Sequence, residues 1–213
     1  MAIRKSQRPY NVQYYRRNRQ AEIDRVKARQ GAAREFLREL RNVPCLDCGG
    51  TFLPHQMDFD HRDPSMKSFQ VTDKGLLKSR ERLLAEIDKC DIVCANCHAA
   101  RTYVLQGQKR AERVANGTLK NTPRRIAQRE REAEGRAFLL TLRDRPCADC
   151  AGTFPPFVMQ FDHRDPSTKA FLVCQTWLSS KARILREAAK CDIVGPNCHR
   201  DRTFRRRHQA GVA

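Results

Sequence analysis

One stretch of cysteines, histidines and aspartates, residues 44–102, recurs at 146–203, and this repeat limits what the 213-residue chain can fold into. The first copy opens on Cys45-x-x-Cys48 and passes through Phe59-Asp60-His61-Arg62-Asp63-Pro64. It closes on Cys94-x-x-Cys97-His98. An offset of 102 aligns Arg34-x-Phe36-Leu37 with Arg136-x-Phe138-Leu139, Cys45 and Cys48 with Cys147 and Cys150, and Asp60-His61 with Asp162-His163. After a one-residue deletion the offset is 101, and Cys90, Asn96, Cys97 and His98 meet Cys191, Asn197, Cys198 and His199. One position breaks the pattern: Gly195 stands where the first copy has Cys94.

Two copies in one chain imply two small cores. Mean hydropathy is -0.71 and aromatic residues make up 7%, too polar a composition for one large core. Small cores of this kind need staples. Ten cysteines can supply them. No apolar run approaches membrane-spanning length, and the basic start lacks the apolar core of a secretory signal. The expectation is therefore a cytoplasmic protein with no membrane partner, whose thiols are reduced and bind metal. A net charge of +18 points to a polyanionic partner, bound tightly but with strong salt dependence.

Residues 1–42 read as a basic arm, with twelve Lys and Arg against Glu22, Asp24, Glu35 and Glu39. Tyr10, Tyr14 and Tyr15 sit among its early arginines, where they can lie against a sugar-phosphate backbone. From about Gln20 to Leu40 the spacing of Ile23, Val26, Phe36, Leu37 and Leu40 predicts a helix with a narrow apolar stripe. Glycines 49 and 50 allow a tight turn around the first thiolate pair. Thr51-Phe52 and Met57-Asp58-Phe59 alternate apolar and polar residues, which predicts two short strands. Leu76 to Lys89 predicts a helix with Leu76, Leu77, Leu83, Leu84 and Ile87 inside. Cys90 to Val93 reads as a short turn or strand. His98 to about Arg110 predicts a basic helix, 105–135 a charged linker, Arg124 to Leu140 a further helix, and 200–208 a basic helix or tail.

Two Cys-x-x-Cys pairs with a long insert have the spacing of a tetrahedral structural zinc site, here Cys45, Cys48, Cys94 and Cys97. The second copy keeps Cys147, Cys150 and Cys198. A fourth thiolate there can come from Cys191 or Cys174, or be absent. Asp60, His61 and His98 supply what a phosphodiester hydrolase requires: a base for water, and ligands that hold a divalent cation with positions left open. Adjacent strand residues point to opposite faces, so Asp60 and His61 act together only where the strand ends, as Asp63-Pro64 suggests. Four of the six histidines (His61, His98, His163 and His199) fall at these positions.

The pattern Cys-x-x-Cys, Phe-Asp-His, Cys-x-Asn-Cys-His resembles the HNH endonucleases of the ββα-metal class, in their four-cysteine form, over roughly 44–103 and 146–204. The resemblance implies an α+β chain of two small zinc-stapled ββα-metal modules, related as a pseudo-two-fold repeat and joined by basic helices. Its segments would be a basic helical arm (1–42), a first module (43–104), a charged linker (105–135) and a second module with a basic tail (136–213). It implies His61 and His163 as general bases, Asp60, His98, Asp162 and His199 as ligands of a catalytic Mg²⁺ or Mn²⁺, and Zn²⁺ as scaffold. Asn96 and Asn197 are the nearest candidates for the family's central asparagine. Expected phosphate contacts are Arg16, Arg17, Arg19, Arg62, Arg101, Arg164, Arg202, Arg205 and Arg206. The implied activity is double-strand cleavage of DNA by a monomer, restriction- or homing-like, in a bacterial or phage setting. The competing expectations are a nickase with one working site, a non-catalytic zinc-ribbon DNA-binding protein, and an RNA-binding basic protein.

Overall fold

The computed structural model describes residues 12–71, 78–118 and 122–209. Tyr10 and the side chains of Tyr14 and Tyr15 lie outside the described residues, as do Leu76 and Leu77. The described residues are mixed helix and small antiparallel sheet, 59% helical, which agrees with an α+β class. In order it runs α1 (Val12–Leu40), β1 (Met57–His61), α2 (Arg80–Ile87), β2 (Cys90–Cys94), α3 (Ala95–Ala115), α4 (Pro123–Arg143), β3 (Gln160–His163), α5 (Lys181–Ala188), β4 (Cys191–Val194) and α6 (Pro196–Gln209). Strand β1 pairs with β2, and β3 with β4.

The expected strand at Thr51-Phe52 does not form. The partner of Met57–His61 is Cys90–Cys94 instead. Local chemistry explains the change. Gly49 sits at φ +68, in the left-handed region that glycine adopts at least cost. The Cys45 amide donates to the Gly50 carbonyl at 2.9 Å. Phe52 packs onto the cysteine core, and Pro54, which has no N–H for a ladder, starts a single 3-10 turn.

The segment 105–135 is largely helical, because α3 runs on to Ala115 and α4 starts at Pro123. Its Gln, Lys, Arg, Ala and Glu are strong helix formers that need no buried face. Thr122 caps α4 by accepting from the Arg125 amide, with Pro123 in the first turn, where its missing N–H costs nothing. Ser79 and Ser180 cap α2 and α5 in the same manner.

The backbone divides into two compact units, Met1–Asn42 with His61–Asp91, and Val43–Asp60 with Ile92–Ala213. In the first, Leu37, Val71, Leu83 and Cys90 are buried, and the Arg80 guanidinium lies 4.3 Å from the centre of the Phe36 ring. Asp63 accepts from the Ser65 amide at 2.8 Å and turns the chain after β1.

Among the described residues the second unit holds three apolar clusters. Cys45, Met57, Val93 and Cys94 form one, with Phe52, Ile92 and Cys97 against it. Cys147, Met159, Ile193 and Val194 form its counterpart, with Phe154, Phe161 and Cys198. Leu139, Val173, Ile184 and Cys191 form the third, covered by Phe138, Leu142 and Trp177. Helix α4 approaches the Trp177 backbone so closely at Gly135 that a methyl there would lie 1.9 Å from the Trp177 carbonyl oxygen. Register in the second sheet sets Gln160 opposite Val194, Asp162 opposite Asp192 and His163 opposite Cys191.

Residues of the two repeats meet reciprocally inside this unit. The Asn96 amide donates to Asn197 Oδ1 at 3.2 Å, and the Asn197 amide to Asn96 Oδ1 at 3.0 Å. Tyr103 stacks on Phe157 at 4.1 Å, and Phe204, the counterpart of Tyr103, stacks on His55, the counterpart of Phe157, at 4.2 Å. Paired contacts of this kind, i to j and j to i, are what an isologous interface produces.

Candidate metal centres and the groups around them

The sulfurs of Cys45, Cys48, Cys94 and Cys97 lie within 4.8 Å of one another, as do those of Cys147, Cys150 and Cys198. Four thiolates about 2.3 Å from one zinc stand roughly 3.8 Å apart, so the donor set and the spacing fit a zinc ion. Each cluster is built from a turn and a helix start. The first pair is held by the turn at Gly49, the second by the step from β2 into α3. The Cys94 amide donates to Cys45 Sγ at 3.1 Å. Burial pushes the Cys45 thiol up, but amide bonds from Cys48, Cys94 and Asp47 outweigh it and bring it down to about 7. Cys97 is pushed up by burial and by the neighbouring thiols. A bound cation would favour the thiolate form of all four and offset the repulsion among them.

In the second cluster the Gly195 amide takes the place of Cys94 and donates to Cys147 Sγ at 3.3 Å. Neither candidate for the fourth thiolate joins the cluster. Cys191 stands at the other end of β4 from Gly195, opposite His163, in the core with Leu139 and Ile184; its thiol donates to the Glu187 carbonyl. Cys174 is exposed. Cys90 bonds the Glu86 carbonyl as Cys191 bonds that of Glu187, which accounts for a cysteine repeated outside both clusters.

The histidines that follow the knuckles face the strand carboxylates. His98 Nε2 lies 3.5 Å from Asp60 Oδ1, and His199 Nε2 lies 3.4 Å from Asp162 Oδ1. Two donor atoms each about 2.1 Å from one divalent ion stand about that far apart, and imidazole with carboxylate suits a first-row divalent cation. Each imidazole is held from behind by the residue two positions upstream on the strand, on the same strand face. His98 Nδ1 donates to Asp58 Oδ2 at 2.7 Å. His199 Nδ1 donates to Gln160 Oε1 at 2.5 Å. The hydrogen bond to Asp58 raises the basicity of His98, whereas burial lowers that of His199. Burial pushes the Asp58 carboxyl up, but its bonds from His98 and Arg200 prevail and hold it down to about 2.

The residues expected as bases point to the opposite side from the aspartates, as strand alternation requires. His61 Nε2 meets Glu86 at 2.9 Å, and His163 Nε2 meets Glu187 at 2.8 Å. Glu86 is 2% exposed. It also accepts from Lys89 at 2.7 Å and from the Ser68 amide at 2.7 Å. Burial pushes the Glu86 carboxyl up, and the bonds from Lys89, His61 and two amides overcome it, leaving it below the carboxylate range. Lys190 leads the groups that hold Glu187 down to about 2. In the second copy the alternation does not separate the groups: Asp162, His163 and His199 line one cavity of about 470 Å³ with Lys169 and Arg206.

Most of the expected phosphate contacts are already paired inside the protein. Arg101 holds Asp47 at 2.5 Å and Asp60 at 3.2 Å. Arg202 holds Asp149, Asp162 and Asp192, and Arg206 holds Asp162. Arg62 and Arg164 brace the strand ends through Asp91 and Asp192 and through backbone carbonyls. Arg205 pairs with Asp201 on its own helix. Arg16, Arg17 and Arg19 are exposed on α1. Asn96 and Asn197 bond to each other's backbone amides.

Sequence reasoning missed Asp58, Gln160, Glu86 and Glu187. A signal was there for the glutamates. Both sit at offset 101, one turn ahead of a lysine and four residues before the repeated Cys90 and Cys191.

No family model, curated protein or solved structure matches this chain. Among the described residues no helix is long and apolar enough to cross a membrane.

Proposed function

We propose that the protein is a metal-dependent DNA endonuclease built from two HNH-type modules in one chain. The observation that carries the reading is the division of labour in the second copy. His163 is tied to a buried carboxylate, Asp162 and His199 face each other at the spacing of a shared ion, and all three line one cavity. The same residue types recur in register in the first copy.

An ionised Glu187 accepts a hydrogen bond, so His163 Nε2 carries the proton and Nδ1 is left as the basic nitrogen. That is the tautomer a general base requires. The Nδ1 atom takes a proton from a water that attacks the phosphorus in line, and Glu187 stabilises the imidazolium that forms. Asp162 and His199, like Asp60 and His98, would hold a divalent cation, which supplies charge stabilisation for the phosphate and the leaving oxygen. Lys169 lines the same cavity and suits a phosphate oxygen. The exposed arginines of α1 supply sequence-independent attraction to the duplex.

Plasmid cleavage tests the reading. Wild type in Mg²⁺ should convert supercoiled DNA to linear, and His61→Ala and His163→Ala should each stop at the nicked circle. A wild type that binds DNA yet leaves it intact in Mg²⁺ and in Mn²⁺ refutes the nuclease and leaves a zinc-stapled DNA-binding protein.

A further inference from the structure

The two candidate cation sites are not equivalent, and the two differences that bear on the ligands themselves act in one direction. We infer that the first half binds the divalent cation more tightly than the second, so that the protein makes its two cuts unequally, with Asp58 and Arg206 as the residues that set the difference. This rests on the nuclease reading above.

The first difference lies behind the imidazole. In the first half His98 Nδ1 donates to a carboxylate, Asp58, at 2.7 Å; in the second His199 Nδ1 donates to an amide oxygen, Gln160, at 2.5 Å. Asp58 and Gln160 occupy the same register of the repeat. A carboxylate behind a ligating histidine fixes the ring and makes its other nitrogen a stronger donor. Loss of such a partner costs about 10–100-fold in metal affinity. An amide fixes the ring equally well and adds no charge.

The second difference lies at the carboxylate ligand. Arg206 grips both oxygens of Asp162, Nη1 to Oδ1 at 3.1 Å and Nη2 to Oδ2 at 2.7 Å. A bidentate guanidinium is the strongest competitor a side chain can offer for a carboxylate. The first half has Leu105 at that register, so the competitor is missing. The arginine common to both halves, Arg101 on Asp60 at 3.2 Å and Arg202 on Asp162 at 3.1 Å, cancels in the comparison. Accessibility agrees: the Asp60 side chain is 22% exposed and that of Asp162 is 5%.

One contact opposes the trend. Arg200 donates to Asp58 Oδ2 at 2.6 Å, and its counterpart in the first copy is Ala99. Arg200 offsets part of the charge of Asp58, but it lies on the residue behind the ligand, whereas Arg206 lies on the ligand itself. It also makes Asp58 a junction between the repeats, so the second half helps to hold the first half's site in place.

The test is a Mn²⁺ titration of the zinc-loaded full-length protein, with free Mn²⁺ read by electron paramagnetic resonance. Wild type should show two steps, separated by about 10–100-fold in Kd. Asp58→Gln should move the tight step toward the weak one. Arg206→Leu, which installs the first half's own residue, should tighten the weak step and leave the tight one in place; Gln160→Asp should do likewise. Cleavage at Mn²⁺ between the two steps should give nicked circles that His61→Ala abolishes and His163→Ala does not.

A single step for two equal sites overturns the inference, even if the protein linearises DNA. So does a low-metal nick that depends on His163. Two unequal Mn²⁺ sites that respond to Asp58→Gln and Arg206→Leu, in a protein that never cuts, uphold the inequality and remove the nuclease. No Mn²⁺ binding at all removes both.

Discussion

The two halves of this chain spell nearly the same motif and hold it by different means. In the first, four cysteine sulfurs converge where β2 enters α3, around a core of Met57, Val93 and the cysteines themselves. In the second, one ligand is gone, yet the fold around it is the more closed. Asp162 and Asn197 are buried there while Asp60 and Asn96 are only partly so. The second thiolate cluster also shares Phe161 with a neighbouring apolar core of Leu139, Val173 and Ile184, which Trp177 covers. A small domain can be stabilised by a metal or by apolar burial. The matching positions of the first copy, Leu37, Val71, Leu83 and Cys90, are buried as well, so the difference between the halves that can be tested is the fourth thiolate.

The largest expected effect breaks or confirms that contrast directly. Structural zinc in small domains carries roughly 10–16 kcal/mol of apparent binding free energy, more than most domains have in net stability. Cys45→Ser should therefore release one zinc and unfold the first thiolate cluster. Cys147→Ser removes one of three thiolates instead of one of four and should cost less, with the sheet of β3 and β4 still protected in hydrogen exchange. Zinc content by mass spectrometry, read beside amide exchange, separates the two. Equal losses in both variants would mean that the three-thiolate site holds its metal as firmly as the four-thiolate one. Gly195→Cys sharpens the point. The new Cβ would sit 3.3 Å from the Asn96 carboxamide oxygen and 3.4 Å from the Phe154 ring, side-chain ends that can yield by a few tenths of an ångström. A completed four-thiolate site should then retain its zinc against a chelator that strips the wild-type second site.

Next in size is the pair of buried glutamates, the feature on which the halves agree most closely. Each His–Glu distance, 2.9 Å and 2.8 Å, repeats within 0.1 Å. Replacing the orienting carboxylate of a general base by an amide releases the wrong tautomer and costs up to about 10⁴ in rate. Glu86→Gln and Glu187→Gln should each slow one cut by roughly 10²–10⁴-fold with DNA binding unchanged. The same groups tie stability to pH. The Glu187 carboxyl, ordinarily near 4.5, is held at about 2, chiefly by Lys190. A carboxyl depressed in the folded state contributes stability that is complete above the unfolded value and disappears as pH falls through the folded one. Acid unfolding should therefore steepen between about pH 4.5 and pH 2, and Glu187→Gln should flatten that segment of the curve. An unchanged acid limb would show that the carboxyl is not depressed.

How much of this was legible in the sequence follows from where the information resides. The thiolate clusters and the Asp60/His98 and Asp162/His199 pairs were readable because ligand spacing is written locally and the repeat doubles the signal. The α-helical stretches were readable from their composition, although α3 runs past the expected linker boundary because polar residues with high helix propensity look like a linker in a sequence. Strand pairing was not. Phe52 alternates as a strand residue should, yet it packs on sulfur, and the true partner of β1 lies some thirty residues on. The arginines were legible only as charge, for a related reason. A count of positive charge does not tell a phosphate contact from a strut, and Arg62, Arg101, Arg164, Arg202 and Arg206 all hold internal carboxylates. Asp58 and Gln160 were hidden because their role depends on which imidazole nitrogen faces them, which only geometry reveals.

The smallest expected effect concerns the seam where the repeats meet. Asn96 and Asn197 exchange backbone-to-side-chain bonds at 3.2 Å and 3.0 Å, but their surroundings differ. Asn197 is 4% exposed and has a carbonyl that accepts from Gln56 Nε2 at 3.1 Å; its own Nδ2 is buried with no partner among the described residues. Asn96 is less enclosed. Removing Asn96 leaves the Asn197 amide without its acceptor, a cost of about 1–3 kcal/mol for a buried donor. Removing Asn197 strips the acceptor from the Asn96 amide, and also eliminates a buried unsatisfied group, so the two effects partly cancel. Asn96→Ala should therefore lower Tm by more than Asn197→Ala, although Asn197 is the more buried of the two. Calorimetry on the two zinc-loaded variants decides it. The reverse order would mean that packing volume, and not the unsatisfied amide, governs the seam, and that the two halves meet there on equal terms after all.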